Sequence, residues 1–366
     1  MDFKPALYME YMKSQDFSQI ECNLAMSDID CPYSLAELGI TARVLETGEY
    51  HSYGNPELKE VIAEQYGVDP EQVLIPGGGS SLCNFLVAAT LLGHKDQALV
   101  ERPTYEPLRS TIESTGAEIL NLPRSYHNSF NVDLDELNHL MNPKVKLVVL
   151  TRLHNPSGRD MELDTLLKIG EKAAETGAYV LVDEVYLDFL PENIRKPSTS
   201  IHPRLIVTSS FTKVYGLGTL RMGWAVAPKD LVEQCCRINN VLGVVPPMVP
   251  EQISLQLFQS GGISRIGAYA RRGAGENIAS VAKFIASQPQ LEWVEPSAGI
   301  IGFIRVKSME NTDPLAEKLR MKFRTMVIPG SHFDMPDGFR LGFGCDPSEL
   351  KEGLRRISLA LNETDS

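Results

Sequence analysis

The stretch LVVLTRLHNPSGRDMELDTLLKIGEKAAETGAYVLVD, residues 147–183, decides the fold. It opens on a short apolar run, Leu147 to Thr151, and closes on another, Tyr179 to Asp183. Between them, Met161 to Thr176 carries apolar residues at helical spacing. Two strands joined by an amphipathic helix form a strand–helix–strand unit. Strands apolar along their whole length belong in a mainly parallel sheet covered on both faces. Further strand candidates extend the pattern outward: Gln97 to Glu101, Glu118 to Leu122, Leu205 to Ser209 and Gly223 to Ala227, with a periodic helical segment over Thr104 to Thr115.

The C-terminal third changes character. A helical stretch from about Ser264 to Ser287 leads to two alternating segments, Gly299 to Val306 and Gly338 to Gly344, and a last helix over Asp346 to Leu361. Alternation points to strands with one wet face, hence an antiparallel component. The expected fold is α/β: a mainly parallel central sheet with helices on both faces, in a large domain over residues 36–275. A smaller α+β domain is expected from residues 1–35 and 276–366, joined through a continuous helix. No internal repeat or low-complexity segment is visible.

Composition narrows the function. The 366 residues are 43% hydrophobic and 22% charged, enough for a sizeable core, and the length predicts two domains. A formal net charge of −12 argues against a nucleic-acid or anionic-membrane binder. The opening MDFKPALYMEY lacks the basic and apolar regions of a secretory signal, and no apolar run reaches membrane-spanning length. The six cysteines show no CxxC pair or regular spacing, so neither a metal site nor a disulfide framework is expected, and a reducing cytoplasm is the expected location.

Ligand sites in open α/β sheets lie past the carboxyl ends of the strands. Polar residues gather there: Asp183 in LVDEVY, Asn155 in LTRLHNPSG, Lys213 in IVTSSFTK, and Arg221 eight residues later in LRMGW. A glycine-rich turn, IPGGGSSL, precedes an apolar helix beginning near Ser80. Each has a plain alternative. A lone lysine or arginine is usually a solvated charge, a strand-end aspartate usually a cap, and NPSG usually a turn. GLGTLRMG has the wrong glycine spacing for a dinucleotide fingerprint, and GGGSS lacks the Gly-Lys-Ser/Thr of a nucleotide loop.

In combination, IPGGGSS, ERPTYEP, HNPSG, VDEVY, SSFTKVYGLGTLRMGW and FRLGFG resemble the fold-type I pyridoxal-phosphate enzymes, the class I/II aspartate aminotransferase superfamily. The resemblance runs from about Gly48 to Trp224 and again over Phe339 to Phe343. SxxK followed by RxG is its most specific element. It implies the PLP-transferase fold and pyridoxal 5'-phosphate as cofactor, attached covalently to the Lys213 amine, which also moves the substrate α-proton. It implies that Asp183 keeps the ring nitrogen protonated and that Asn155 and Tyr186 donate to the ring's phenolate oxygen. Gly78, Gly79 and Ser80 offer backbone N–H groups to the phosphate, completed by Ser210 and Arg221. Tyr105 stacks on the cofactor face, and Arg340, with Asn155, takes the substrate α-carboxylate.

Two departures stand out. His154 replaces the first of two asparagines common in relatives and reads as a packed or supporting histidine in preference to a catalytic one. The tyrosine that the family sends across a dimer interface to the partner's phosphate matches Tyr50 or Tyr53 in EYHSYGNPELK, with counting back from Leu58 favouring Tyr50. The resemblance implies amino transfer between an amino acid and a 2-oxo acid, in a homodimer with shared sites. β-Elimination, racemisation, cyclisation and oxidation use the same constellation. HNPSG with DIDCPYSLAEL also resembles capreomycidine-synthase-like enzymes, which act on modified arginine. Transcription regulators with an aminotransferase-like domain add a basic DNA-binding module, which this acidic chain is not expected to carry.

Overall fold

In the computed structural model, residues 2–41, 44 and 51–363 are described. Strands β1 (Cys22–Asn23) and β2 (Val73–Leu74) precede a regular series: β3 (Gln97–Arg102), β4 (Glu118–Pro123), β5 (Val145–Thr151), β6 (Tyr179–Asp183), β7 (Leu205–Ser210) and β8 (Gly223–Val226). The central sheet has the order β2-β8-β7-β6-β5-β3-β4. Neighbours from β4 through β7 pair in parallel, whereas β8 runs antiparallel to both β7 and β2. The twelve-residue return between β7 and β8 holds no crossover α-helix, the usual link between parallel strands, and β8 comes back antiparallel.

The helices explain why these strands are apolar throughout. Leu147, Val149, Leu181 and Ile206 face one layer, with α3 (Gly79–Leu91) and α7 (Lys229–Leu242) against them. Val148, Leu150, Val180 and Val182 face the other, covered by α5 (Leu134–Leu140) and α6 (Leu163–Thr176). Each such side chain contributes roughly 1.5–3 kcal/mol by leaving water. Helix α6 ends where Gly177 turns left-handed at φ 76°. Between these elements lie α1 (Leu7–Ser14), α2 (Pro56–Tyr66) and α4 (Glu106–Ser114).

Helices α8 (Met248–Gln259) and α9 (Gly262–Ala286) lead to a four-stranded antiparallel sheet. It is formed by β9 (Leu291–Trp293), β10 (Ile301–Val306), β12 (Ile328–Pro329) and β13 (Gly338–Gly342), in the order β12-β13-β10-β9. Helices α10 (Asp313–Phe323) and α11 (Pro347–Asn362) complete this part, and β11 (Thr325–Met326) pairs with β1. Residues Leu24 to Ser27 follow β1 and run beside the end of β13. Gly342 N–H donates to Leu24 O at 2.8 Å, and a Cβ at Gly342 would fall 1.9 Å from Met26 O. Only glycine lets these backbones meet, and that meeting delivers Ala25 and Ser27 to the site below. Among the described residues no helix is long and apolar enough to cross a membrane.

Candidate active site

Parallel strands put their carboxyl ends on one edge, and there a cavity of about 510 Å³ opens. Its walls include Ser80, Tyr105, Asn155, Asp183, Tyr186, Ser210, Lys213 and Arg221. They come from the starts of α3 and α4 and from the ends of β5, β6 and β7. Gly78 and Gly79 stand at the head of α3, with φ of 78° and 74°. A Cβ at Gly79 would lie 2.9 Å from Arg221 Nη2, and one at Gly223 would lie 2.4 Å from Ser80 N. Glycine at both positions lets the loop, β8 and the guanidinium converge. Arg221 Nη2 donates to Gly78 O at 3.0 Å. Free helix N–H groups beside a guanidinium and two serine hydroxyls form a donor set for a phosphate dianion.

Lys213 Nζ donates to Ser27 Oγ at 3.0 Å. Burial holds its amine below the usual lysine range, against the pull of Asp28 and Asp183. Asp183 Oδ2 accepts from Asn84 Nδ2 at 2.9 Å, and its Oδ1 from Val185 N–H at 3.2 Å. The carboxylate can only accept, so it takes the NH2 end of the amide, and Thr208 Oγ1 donates to the other end, Asn84 Oδ1, at 2.6 Å. Burial pushes the Asp183 carboxyl up, and these donors and Lys213 only partly offset it. Tyr186 Oη donates to Ser27 O at 3.0 Å, and Tyr105 Oη reaches Met9 Sδ at 3.5 Å. Burial raises both phenols, so both remain protonated donors.

Arg340, on β13, does not line the cavity itself but meets it through Asn155. Its Nη1 donates to Asn155 Oδ1 at 3.2 Å, and its Nη2 donates to Tyr8 Oη at 3.0 Å and Ala25 O at 2.8 Å. Its Nε is buried without a partner among the described residues, and the acceptors its guanidinium meets there are an amide, a phenol and a backbone carbonyl rather than a carboxylate. His154 is fully buried: Nε2 donates to Pro103 O at 2.9 Å, and Nδ1, 2.7 Å from Ser157 Oγ, is left as the acceptor. Burial pushes its pKa well below the usual histidine value, which suits that neutral, packed form. Tyr50 lies outside the described residues. Tyr53 is exposed.

Sequence reasoning missed a supporting layer. Glu101 and Arg124, both fully buried, pair at 2.6 Å. Glu101 also accepts from Thr151 Oγ1 at 2.5 Å, and that hydroxyl in turn accepts from Asn155 N–H at 3.3 Å, tying the asparagine's loop to the strand ends. Asn84 was detectable as a polar residue in the apolar run of α3. Tyr8, Ser27 and the Glu101–Arg124 pair carry no local signal, because only the tertiary fold brings them in.

A donor set suited to a phosphate, a buried amine, a buried carboxylate and phenolic walls around one cavity are what a pyridoxal-phosphate enzyme of the fold-type I class requires. The chain belongs to the aminotransferase class I and II family, whose model matches residues 33–357, and pyridoxal phosphate is its cofactor. The chain is 28% identical over 310 residues to capreomycidine synthase of Streptomyces vinaceus, covering 84% of this chain and 79% of that protein. A pyridoxal-phosphate-dependent aminotransferase from Streptococcus suis has the same fold, with a TM-score of 0.91 at 23% identity and full coverage of both chains. A pyridoxal-phosphate-dependent cyclase, OrfR, superposes with a TM-score of 0.86 at 26% identity, covering 98% of this chain and 97% of that one.

Proposed function

We propose that the enzyme transfers an amino group between an amino acid and a 2-oxo acid. The observation that carries this reading is the buried Arg340 beside Asn155, which meets no carboxylate among the described residues and is reached from a cavity that also holds Lys213 and Asp183. A buried guanidinium without a counter-ion is costly, and a substrate α-carboxylate is the natural anion for it. When bound, pyridoxal phosphate supplies an electron sink for charge developing at the substrate α-carbon.

The chain's own residues then divide the work. Lys213 anchors the cofactor and moves the proton at the α-carbon, a task its lowered basicity favours. Asp183 holds the proton on the ring nitrogen. Asn155 and Tyr186 donate to the ring's phenolate oxygen. Gly78, Gly79, Ser80, Ser210 and Arg221 hold the phosphate. Tyr105 covers the ring face and excludes water, and Arg340 with Asn155 orients the carboxylate. In this reading the active unit is a homodimer, with Tyr50 reaching the partner's phosphate.

A second reading, cyclisation of an amino-acid substrate, is favoured by the names of two relatives, capreomycidine synthase and the cyclase OrfR. One experiment separates them. The purified enzyme is mixed with a panel of amino acids that includes arginine and its hydroxylated forms, and the cofactor's visible spectrum is followed. Conversion to the amine form, reversed by a 2-oxo acid, supports amino transfer. A cyclic product formed with the cofactor spectrum restored on its own rejects it.

A further inference from the structure

The α-carboxylate site read above has an additional wall, contributed by the N-terminal helix. Tyr8 sits in the first turn of α1, is 5% exposed, and accepts from Arg340 Nη2 at 3.0 Å. Its ring meets Tyr105 edge-on at 5.5 Å and His332 at 5.9 Å. The helix is held by Glu106, which accepts Leu7 N–H at 2.9 Å and Tyr8 N–H at 2.5 Å. Glu106 follows Tyr105 directly, so the group that fixes α1 is adjacent in sequence to one wall of the cavity. Met9 and Lys13 of the same helix line that cavity.

Hydrogen-bond accounting singles out the Tyr8 hydroxyl. A phenol has one proton to give and lone pairs to receive with. Here the oxygen receives from a guanidinium, so its own proton points away from that cation, and no acceptor for it is found among the described residues. Arg340, for its part, has acceptors that are all neutral and an Nε with none. An anion arriving at this guanidinium therefore meets a second, uncommitted donor at its edge.

We propose that Tyr8 is a substrate-contacting residue whose hydroxyl donates to the carboxylate held by Arg340, so that α1 completes the carboxylate site. The inference rests on the reading of Arg340 given above, but not on which reaction follows.

The test uses the cofactor-loaded enzyme and two reagents that combine with the cofactor's carbonyl carbon and change its absorbance. Aminooxyacetate carries a carboxylate, and methoxyamine is its counterpart without one. Tyr8→Phe keeps the ring contacts and removes only the hydroxyl. It is expected to slow aminooxyacetate about tenfold or more, the scale of one charge-assisted hydrogen bond, and to leave methoxyamine at the wild-type rate. Replacement of Tyr8 by 3-fluorotyrosine separates donation from mere support of Arg340. Fluorine makes the hydroxyl a better donor and a poorer acceptor, so donation to the carboxylate predicts faster aminooxyacetate capture.

Slower capture by the fluorinated enzyme, equal slowing of both reagents in Tyr8→Phe, or no slowing of either would overturn the role of Tyr8. A wild-type enzyme that treats both reagents alike would overturn the Arg340 reading, and the inference with it.

Discussion

Replacing Asp183 by asparagine should push the cofactor-free and cofactor-loaded proteins in opposite directions. In the free protein the carboxylate is buried, and its pKa is raised by burial despite the Asn84 and Val185 donors. A carboxyl whose folded pKa lies above its unfolded value supports folding most at low pH, and that support fades as pH rises through the folded pKa. Above the unfolded carboxyl pKa the native state therefore forfeits that support, a loss that asparagine, which does not ionise, avoids. The amide must still place one NH2 group, and Asn84 can turn over to receive it because Thr208 Oγ1 is able to accept as well as donate. The cofactor-free Asp183→Asn protein should thus melt no lower than wild type.

With cofactor the sign reverses. Losing the charged acceptor for the ring N–H costs about 1.5–3 kcal/mol, or roughly 10–100-fold in cofactor affinity, while the phosphate cup and Lys213 still hold it. The α-proton step loses a preorganised charge in a dry site and should slow by at least about 10²–10³-fold. Calorimetry of the free protein, cofactor titration, and single-turnover spectroscopy after full loading measure the three effects separately. A fully loaded Asp183→Asn enzyme that reacts at the wild-type rate would refute the reasoning and leave Asp183 a strand-end residue only.

Other outcomes follow from the same geometry. Arg340→Lys keeps one charge but cannot serve Asn155, Tyr8, Ala25 and a carboxylate together, so kcat/KM for every amino-acid substrate should fall about 10–100-fold with cofactor affinity unchanged. Lys213, whose amine burial holds below its unfolded value, gives support that is present above about pH 10.5 and lost as pH falls through the folded pKa. The cofactor-free Lys213→Met protein should therefore be more stable than wild type near neutrality, with the gap closing at high pH, as thermal melts across pH will report. Mixed dimers of Lys213→Ala and Tyr50→Phe subunits should regain one competent site; no recovery of activity would show that Tyr50 does not cross, and Tyr53 would be tested next.

Much of this architecture was legible because it obeys local rules. Alternating apolar runs and helices dictate parallel strands, and parallel strands force Asp183, Asn155 and Lys213 onto one edge whatever the rest of the chain does. The glycines at 78 and 79 and the Lys213-to-Arg221 spacing are likewise local. The antiparallel course of β8 is a different matter: its apolar run reads like its neighbours', and only the missing crossover helix between Ser210 and Gly223 marks the reversal. Helix α4 begins at Glu106 rather than Thr104, with the residues between it and β3 in an extended turn.

The supporting residues were illegible for a physical reason. Tyr8 meets Arg340 across 332 positions of sequence, Ser27 meets Lys213 across 186, and Asn84 meets Asp183 across 99. No periodicity encodes such contacts. Glu101 and Arg124 carry no mark in the sequence that sets them apart from other strand-end charges, yet both are fully enclosed because adjacent parallel strands bring them together beside Thr151.

The central claim is that this strand edge is built around a cofactor fixed to Lys213. The most direct measurement is borohydride reduction of the cofactor-loaded enzyme followed by digestion and peptide mass spectrometry. The account predicts a pyridoxyl group on Lys213 and none on other lysines, with no label in Lys213→Ala. A pyridoxyl group on another lysine, or an unchanged label in Lys213→Ala, would contradict it.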